Sequence, residues 1–264
     1  MHPLPAHYPS SRPKPDRLAR IHGLANAAHA KYSDRLPVIP LQDDTPSARK
    51  AYVTISMMVA CCLVFLWQRS LDEAAARRVV AALGAIPAVL LTGARLPPDL
   101  EWVPRHVSVV TSMFLHGGWL HLLGNMLYLW IYGDNVEDSM GHGRYLLFYG
   151  LCGIAAVYAQ ALSDPHSAFP IIGASGAISG VLGAYLLLFP RAKVLTLVVL
   201  PFFLTTLRLP AMWLLLLWFA AQLASDFGVH GGDGVAFRAH IGGFLAGMLL
   251  VPLLKRRDVP LFAP

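Results

Sequence analysis

Charge is what this sequence lacks. Asp, Glu, Lys and Arg make up only 14% of its 264 residues, against about 25% in a water-soluble domain. Hydrophobic residues reach 56% and the mean hydropathy is +0.53. A chain so poor in charge cannot clothe a soluble surface, so most of its exterior faces lipid. Cysteine is scarce as well: Cys61, Cys62 and Cys152 all lie in apolar runs, and an odd number placed there argues against a disulfide framework and a zinc site. No His-Glu-x-x-His pair occurs, which removes the usual metalloprotease arrangement, and no metal or cofactor is expected. Residues 1–50 hold no apolar core segment, so nothing there reads as a cleavable leader. Rich in Pro, His and Arg, they read as a basic, solvated, unstructured tail. Its bases suit anionic headgroups, whereas no motif organises them for nucleic acid.

What is present is a series of runs free of those four charged types, at 51–68, 106–133, 145–163, 165–190, 209–225 and 239–254, with shorter ones at 79–94 and 194–207. A bilayer core takes about 20 apolar residues per helix. Gly84, Pro87 and Gly93 interrupt the first short run and Pro201 the second, so both read as interfacial or loop segments. The other six predict membrane helices near 51–68, 119–138, 145–163, 171–189, 209–226 and 239–254. They make up a membrane domain over 51–257, followed by a short tail at 258–264. Six crossings put both tails on one face, which then collects fifteen of the 21 Lys and Arg. The positive-inside rule makes that face cytoplasmic. Spans two, four and six then all run inward, with their N-terminal ends at one depth near the outer surface.

Unusual polar residues sit at those ends. Span two opens with His121 and, four residues on along the same helical face, Asn125. Span four opens with Gly173-Ala174-Ser175-Gly176, and span six with Ala239-His240. Such groups are costly in a membrane and read as functional by default. A serine is a weak nucleophile until an adjacent base takes its proton, and histidine suits that task near neutral pH. The His121 and Asn125 side chains, with the Ser175 amide at a helix N-terminus, supply donors for an oxyanion. No carboxylate lies near these helix ends, so a Ser175–His240 dyad without an acidic third member is expected. Taken singly, each part has a plainer meaning. Gly173, Gly176, Gly243 and Gly247 are packing positions that allow close helix approach. Ser179 reads as packing, His106 and His116 as structural hydrogen bonding, and Trp119, Trp130, Trp213 and Trp218 as lipid-facing or belt residues.

The three motifs, in order and on alternate spans, resemble the rhomboid family of intramembrane serine proteases, over about residues 38–254. Ile39-Pro40-Leu41-Gln42-Asp43-Asp44-Thr45-Pro46 is similar to a stretch common in bacterial members, and Gly141-His142-Gly143-Arg144 to the family's short cytoplasmic turn. The resemblance implies an all-α, six-transmembrane-helix bundle with an interfacial first loop, enclosing a wet site that opens to the extracytoplasmic side of a bacterial inner membrane. It implies Ser175 as nucleophile, His240 as general base, and His121, Asn125 and the Ser175 amide as the oxyanion site. The substrates it implies are membrane-spanning helices of other membrane proteins. The sequence departs from many members in two places. Val107 and Ser108 stand where a Trp-Arg pair braces the first loop, and Ser179 stands where an aromatic ring stacks on the histidine. Two rival readings belong to other classes. One is an inactive, client-binding relative, which usually lacks the serine or the histidine. The other is a transporter, which would need polar partners in the inner halves of the spans.

Overall fold

The computed structural model describes residues 38–200, 203–228 and 236–263; the predicted tail over 1–37 lies outside them. Six long helices dominate. They are α1 (Tyr52–Ser70), α5 (Trp119–Met140), α6 (His142–Ser163), α7 (Ser175–Leu188), α8 (Ala211–Gly228) and α9 (Phe237–Leu254). Three of them, α1, α6 and α9, are long and apolar enough to cross a membrane unaided. A fourth candidate is the 83° bent pair of Pro98–Phe114 with α5. This is an all-α membrane bundle, with leucines and tryptophans facing outward: Trp130 is 61% exposed and Leu249 73%. Helix α7 is short because its approach, residues 170–173, is not helical. Non-helical backbone is tolerated at membrane depth only where protein buries it or it lines a wet cavity.

Glycine sets the approach of α7 and α9. A Cβ at Gly243 would lie 2.0 Å from the Gly176 carbonyl oxygen, and one at Gly247 only 1.9 Å from that of Gly180. The i, i+4 pairs on both helices thus meet backbone to backbone, which no larger residue permits. Ser175 and His240 stand at the same end of this contact.

The first loop is mostly helical. It carries α2 (Glu73–Leu83), α3 (Pro87–Leu91), a 3-10 turn at Pro98–Leu100, α4 (Arg105–Thr111) and a 3-10 turn at Ser112–Phe114. Asp72 caps α2 by accepting from the Ala75 N–H at 2.8 Å, and Val79 and Ala82 form its buried stripe. Without the Trp-Arg pair, other contacts brace the loop. Arg78 pairs with Asp99 at 2.9 Å, and the Thr111 hydroxyl donates to the Leu83 carbonyl at 2.7 Å. A two-way bridge joins Ala85 to Ile171, and the Gly173 N–H donates to the Ser112 carbonyl at 2.9 Å. The loop is therefore fastened to the extended segment that leads into Ser175.

A small sheet corrects two expectations. The run at 194–207, expected to be an interfacial or loop segment, is an antiparallel hairpin of β2 (Lys193–Leu200) and β3 (Phe203–Pro210). Its Val- and Thr-rich alternation favours strand, with Val194 and Thr196 fully buried two residues apart. Residues 38–50, expected to be unstructured, supply β1 (Val38–Asp43), which pairs antiparallel with β2 and shifts register between Pro40 and Gln42. The sheet order β1-β2-β3 leaves Pro40 on an edge strand, where a missing donor is tolerated. Beyond β1 the chain is strapped to the bundle. The Tyr185 hydroxyl donates to Asp43 at 2.6 Å, the Ser47 hydroxyl to Asp134 at 2.5 Å, and the Ala48 N–H to Asp138 at 2.9 Å. At the same end, the Arg256 N–H donates to the Ser139 carbonyl at 2.8 Å. The described start and the C-terminal tail thus meet there, at the far end of α5 from His121.

Candidate active site

Ser175 is the first residue of α7 and His240 lies in the first turn of α9. Their side chains touch: His240 Nε2 stands 2.9 Å from Ser175 Oγ. The other ring nitrogen, Nδ1, is 2.8 Å from Gln222 Oε1 on α8. An amide oxygen only accepts, so Nδ1 carries the proton and donates to it. In the neutral ring Nε2 is then the acceptor, and the serine hydroxyl donates to it. This is the arrangement a serine needs before it can attack a carbonyl.

His121 is fixed in the opposite tautomer. Its Nδ1 accepts from the Gly117 N–H at 3.3 Å, so its proton sits on Nε2. Gly173 takes φ +115°, a left-handed conformation that favours glycine. A carbon added there would lie 2.6 Å from His121 Nε2 and 3.8 Å from Ser175 Oγ. The absent side chain leaves His121 open toward the serine. Asn125, one turn further along α5, is 7% exposed, and its Nδ2 is buried without a partner. A buried amide donor without a partner is costly to the fold. The Nε2–H of His121 and the amide at the N-terminus of α7 are thus donors beside the serine, and Asn125 lies one turn beyond His121 on the same face of α5.

The structure therefore brings Ser175 and His240 into contact and sets His121 beside them, with Asn125 on the same face of α5. Gly176, Gly243 and Gly247 lie in the α7–α9 contact, whereas Gly173 shapes the site itself. The Ser179 hydroxyl is turned back to the Ser175 carbonyl at 2.6 Å. His116 is buried; its Nδ1–H donates to the Phe114 carbonyl and its backbone N–H to Gln68 Oε1, while His106 is exposed. Among the described residues no cluster of three or more His, Cys, Asp or Glu is placed to hold a metal.

Two neighbours escape a reading by motif. Gln222 is one. Trp218, assigned to the lipid-facing belt, is the other: its ring lies 6.0 Å from the His240 ring, tilted 38°. Trp218, Gln222 and Asp226 follow at i, i+4 and i+8 on α8, and all three meet the start of α9. Asp226 does so through Arg238 at 2.8 Å. That spacing is the only sequence signal for them, since polar residues on one face of an otherwise apolar helix ask for partners. Gln160 of α6 adds a further polar contact, accepting from the Ala239 N–H at 3.3 Å.

Comparison with known proteins gives one consistent result. The family model described as Rhomboid domain matches residues 104–257. The chain is 32% identical over 154 residues to a Saccharomyces cerevisiae protein named Rhomboid protein 1, mitochondrial, covering 56% of this chain and 42% of that one. It is 31% identical over 142 residues to RHOMBOID-like protein 5 of Arabidopsis thaliana, covering 54% and 42%. A Bacillus subtilis protein named as a rhomboid protease is 45% identical over 78 residues, which are 30% of this chain and 15% of that one. The chain thus spans less than half the length of these relatives.

Proposed function

Because the chain belongs to the rhomboid family, we propose that it is an intramembrane serine endopeptidase that cuts membrane-spanning segments of other membrane proteins. The observation that carries this reading is the 2.9 Å approach of Ser175 Oγ to His240 Nε2, in a pair whose tautomer leaves Nε2 free to take the hydroxyl proton. Ser175 Oγ attacks the scissile carbonyl as its proton passes to Nε2, and the oxyanion is met by His121, Asn125 and the Ser175 amide. The imidazolium then returns the proton to the leaving amine, and a water activated by the same ring releases the acyl group. A peptide in a helix hides its carbonyls in hydrogen bonds, so the substrate must unwind locally, which Gly or Pro near the cut favours.

The site lies at the end of the bundle opposite the strap and the C-terminal tail. Both termini are then cytoplasmic, and the site opens to the extracytoplasmic face. The charge bias of the chain supports that orientation, and the likeness of residues 39–46 to bacterial members supports a bacterial inner membrane. Expression with a panel of single-pass reporters tests the proposal: Ser175→Ala is expected to abolish cleavage while leaving the fold intact. Normal turnover by Ser175→Ala would refute the assignment. A fluorophosphonate probe should modify Ser175, whereas a client-binding relative without activity would leave it unlabelled.

A further inference from the structure

The mechanism above needs the proton of His240 on Nδ1, yet nothing in the dyad itself puts it there. A free neutral imidazole moves its proton between the two nitrogens, and with the proton on Nε2 the ring cannot accept from Ser175. Elsewhere in serine hydrolases a carboxylate settles the matter, and its loss leaves the wrong tautomer. Among the described residues no carboxylate pairs with the ring, and the partner of Nδ1 is the Gln222 amide oxygen at 2.8 Å. Gln222 comes from α8, a different helix from either dyad member, and the ring lies between it and the serine.

We propose that Gln222 is a positioning residue for His240: its amide oxygen holds the imidazole in the tautomer and orientation that point the Nε2 lone pair at Ser175. Trp218, one turn earlier on α8, flanks the same ring and limits its tilt. Among the described residues, the pair stands in for an acidic third member and for an aromatic ring at position 179. Being uncharged, Gln222 orients the ring without adding a full negative charge to a membrane-embedded site, where an unpaired carboxylate is expensive. The inference rests on the peptidase reading and deepens it.

The experiment compares Gln222→Met, of similar size without the acceptor, and Gln222→Glu, which keeps an acceptor oxygen, with the full-length wild-type protein and Ser175→Ala on one reporter. Gln222→Met is expected to lower kcat by roughly 10- to 100-fold with KM and melting temperature near wild type. Its fluorophosphonate labelling of Ser175 should slow in parallel. Gln222→Glu is expected to recover most of kcat and to move the acidic limb of the kcat/KM profile to higher pH by about one unit or more. A role in packing alone would change stability and leave that limb where it was. Gln222→Met with kcat within twofold of wild type overturns the inference while the peptidase reading stands. So does Gln222→Glu with an unmoved acidic limb, which decides the matter if the Met variant fails to fold. A wild-type protein that cleaves no better than Ser175→Ala removes the peptidase reading, and this inference with it.

Discussion

Helix α5 treats polar residues in opposite ways at its two ends. At its C-terminal end Glu137 is 1% exposed, yet its carboxylate accepts from the Val53 N–H at 2.9 Å, the Thr54 N–H at 2.8 Å and His142 Nδ1 at 2.6 Å. It thereby caps α1 from outside that helix, whose own N-cap residue, Ala51, offers no side chain for the task. Asp134, Asn135 and Asp138 each leave one oxygen without a hydrogen-bond partner, but each is held through another atom by the Thr45–Ala48 strap. At the N-terminal end Asn125 makes no hydrogen bond with its buried Nδ2, and His116 keeps an idle Nε2. One end spends its polar groups on holding helices together. The other leaves a donor, Asn125 Nδ2, and an acceptor, His116 Nε2, buried without a protein partner.

Four measurements would break or sharpen that contrast. Glu137→Ala removes acceptors from two backbone donors and a histidine at once, and is expected to destabilise the protein by roughly 3–5 kcal/mol in thermal or chemical unfolding, with near-normal kcat in the molecules that remain folded. A loss of activity without a loss of stability would put Glu137 on the wrong side of the comparison. Second comes the response to acid. Burial, assisted by nearby His121, pushes the His116 imidazole down to about 4. Between about pH 6.5, where an exposed histidine titrates, and that value, the unfolded chain binds a proton that the folded one refuses. Stability is therefore complete above the upper limit and falls as pH drops through the window, by on the order of 3 kcal/mol. Melting temperatures across this range should show a shallower decline in His116→Gln.

Third, Asn125→Ala should lower kcat about 100-fold, equivalent to about 2.7 kcal/mol of barrier, with little change in melting temperature. A variant that melts early but turns over normally would make Asn125 a structural clasp like its counterparts at the other end. The smallest effect belongs to Ser47→Ala. Losing one hydrogen bond at the edge of the strap should cost about 1 kcal/mol and leave kcat unchanged.

Motif reading reached Ser175, His240, His121 and Asn125, and the coordinates place the first two in contact. The two histidines are legible because an apolar helix makes an ionisable group conspicuous, and Ser175 and Asn125 because they belong to the motifs Gly173-Ala174-Ser175-Gly176 and His121-x-x-x-Asn125. Gln222 is not conspicuous in that way. An uncharged amide among leucines carries no ionisable signal, and its importance depends on which helix α8 faces. Trp218 reads as a belt residue for a related reason, since a tryptophan on an apolar helix has the same appearance whether it turns to lipid or to a histidine. The long helices were legible from the gaps in charge. The hairpin was not, because a short apolar run suits a strand and a buried helical turn alike, and what marks it as sheet is a partner, β1, about 150 residues upstream. Residues 38–50 look unstructured for the same reason: taken alone they bury nothing.

The pairing of β1 with β2 has a consequence for assembly. Val38 lies opposite Val198 and Asp43 opposite Val194, so β1 has no strand of this sheet to pair with until four of the long helices and half the hairpin have been made. Closing so long a loop is slow compared with forming any single helix. β1 must therefore find its place in the sheet only after α7, with Ser175 at its start, has been made.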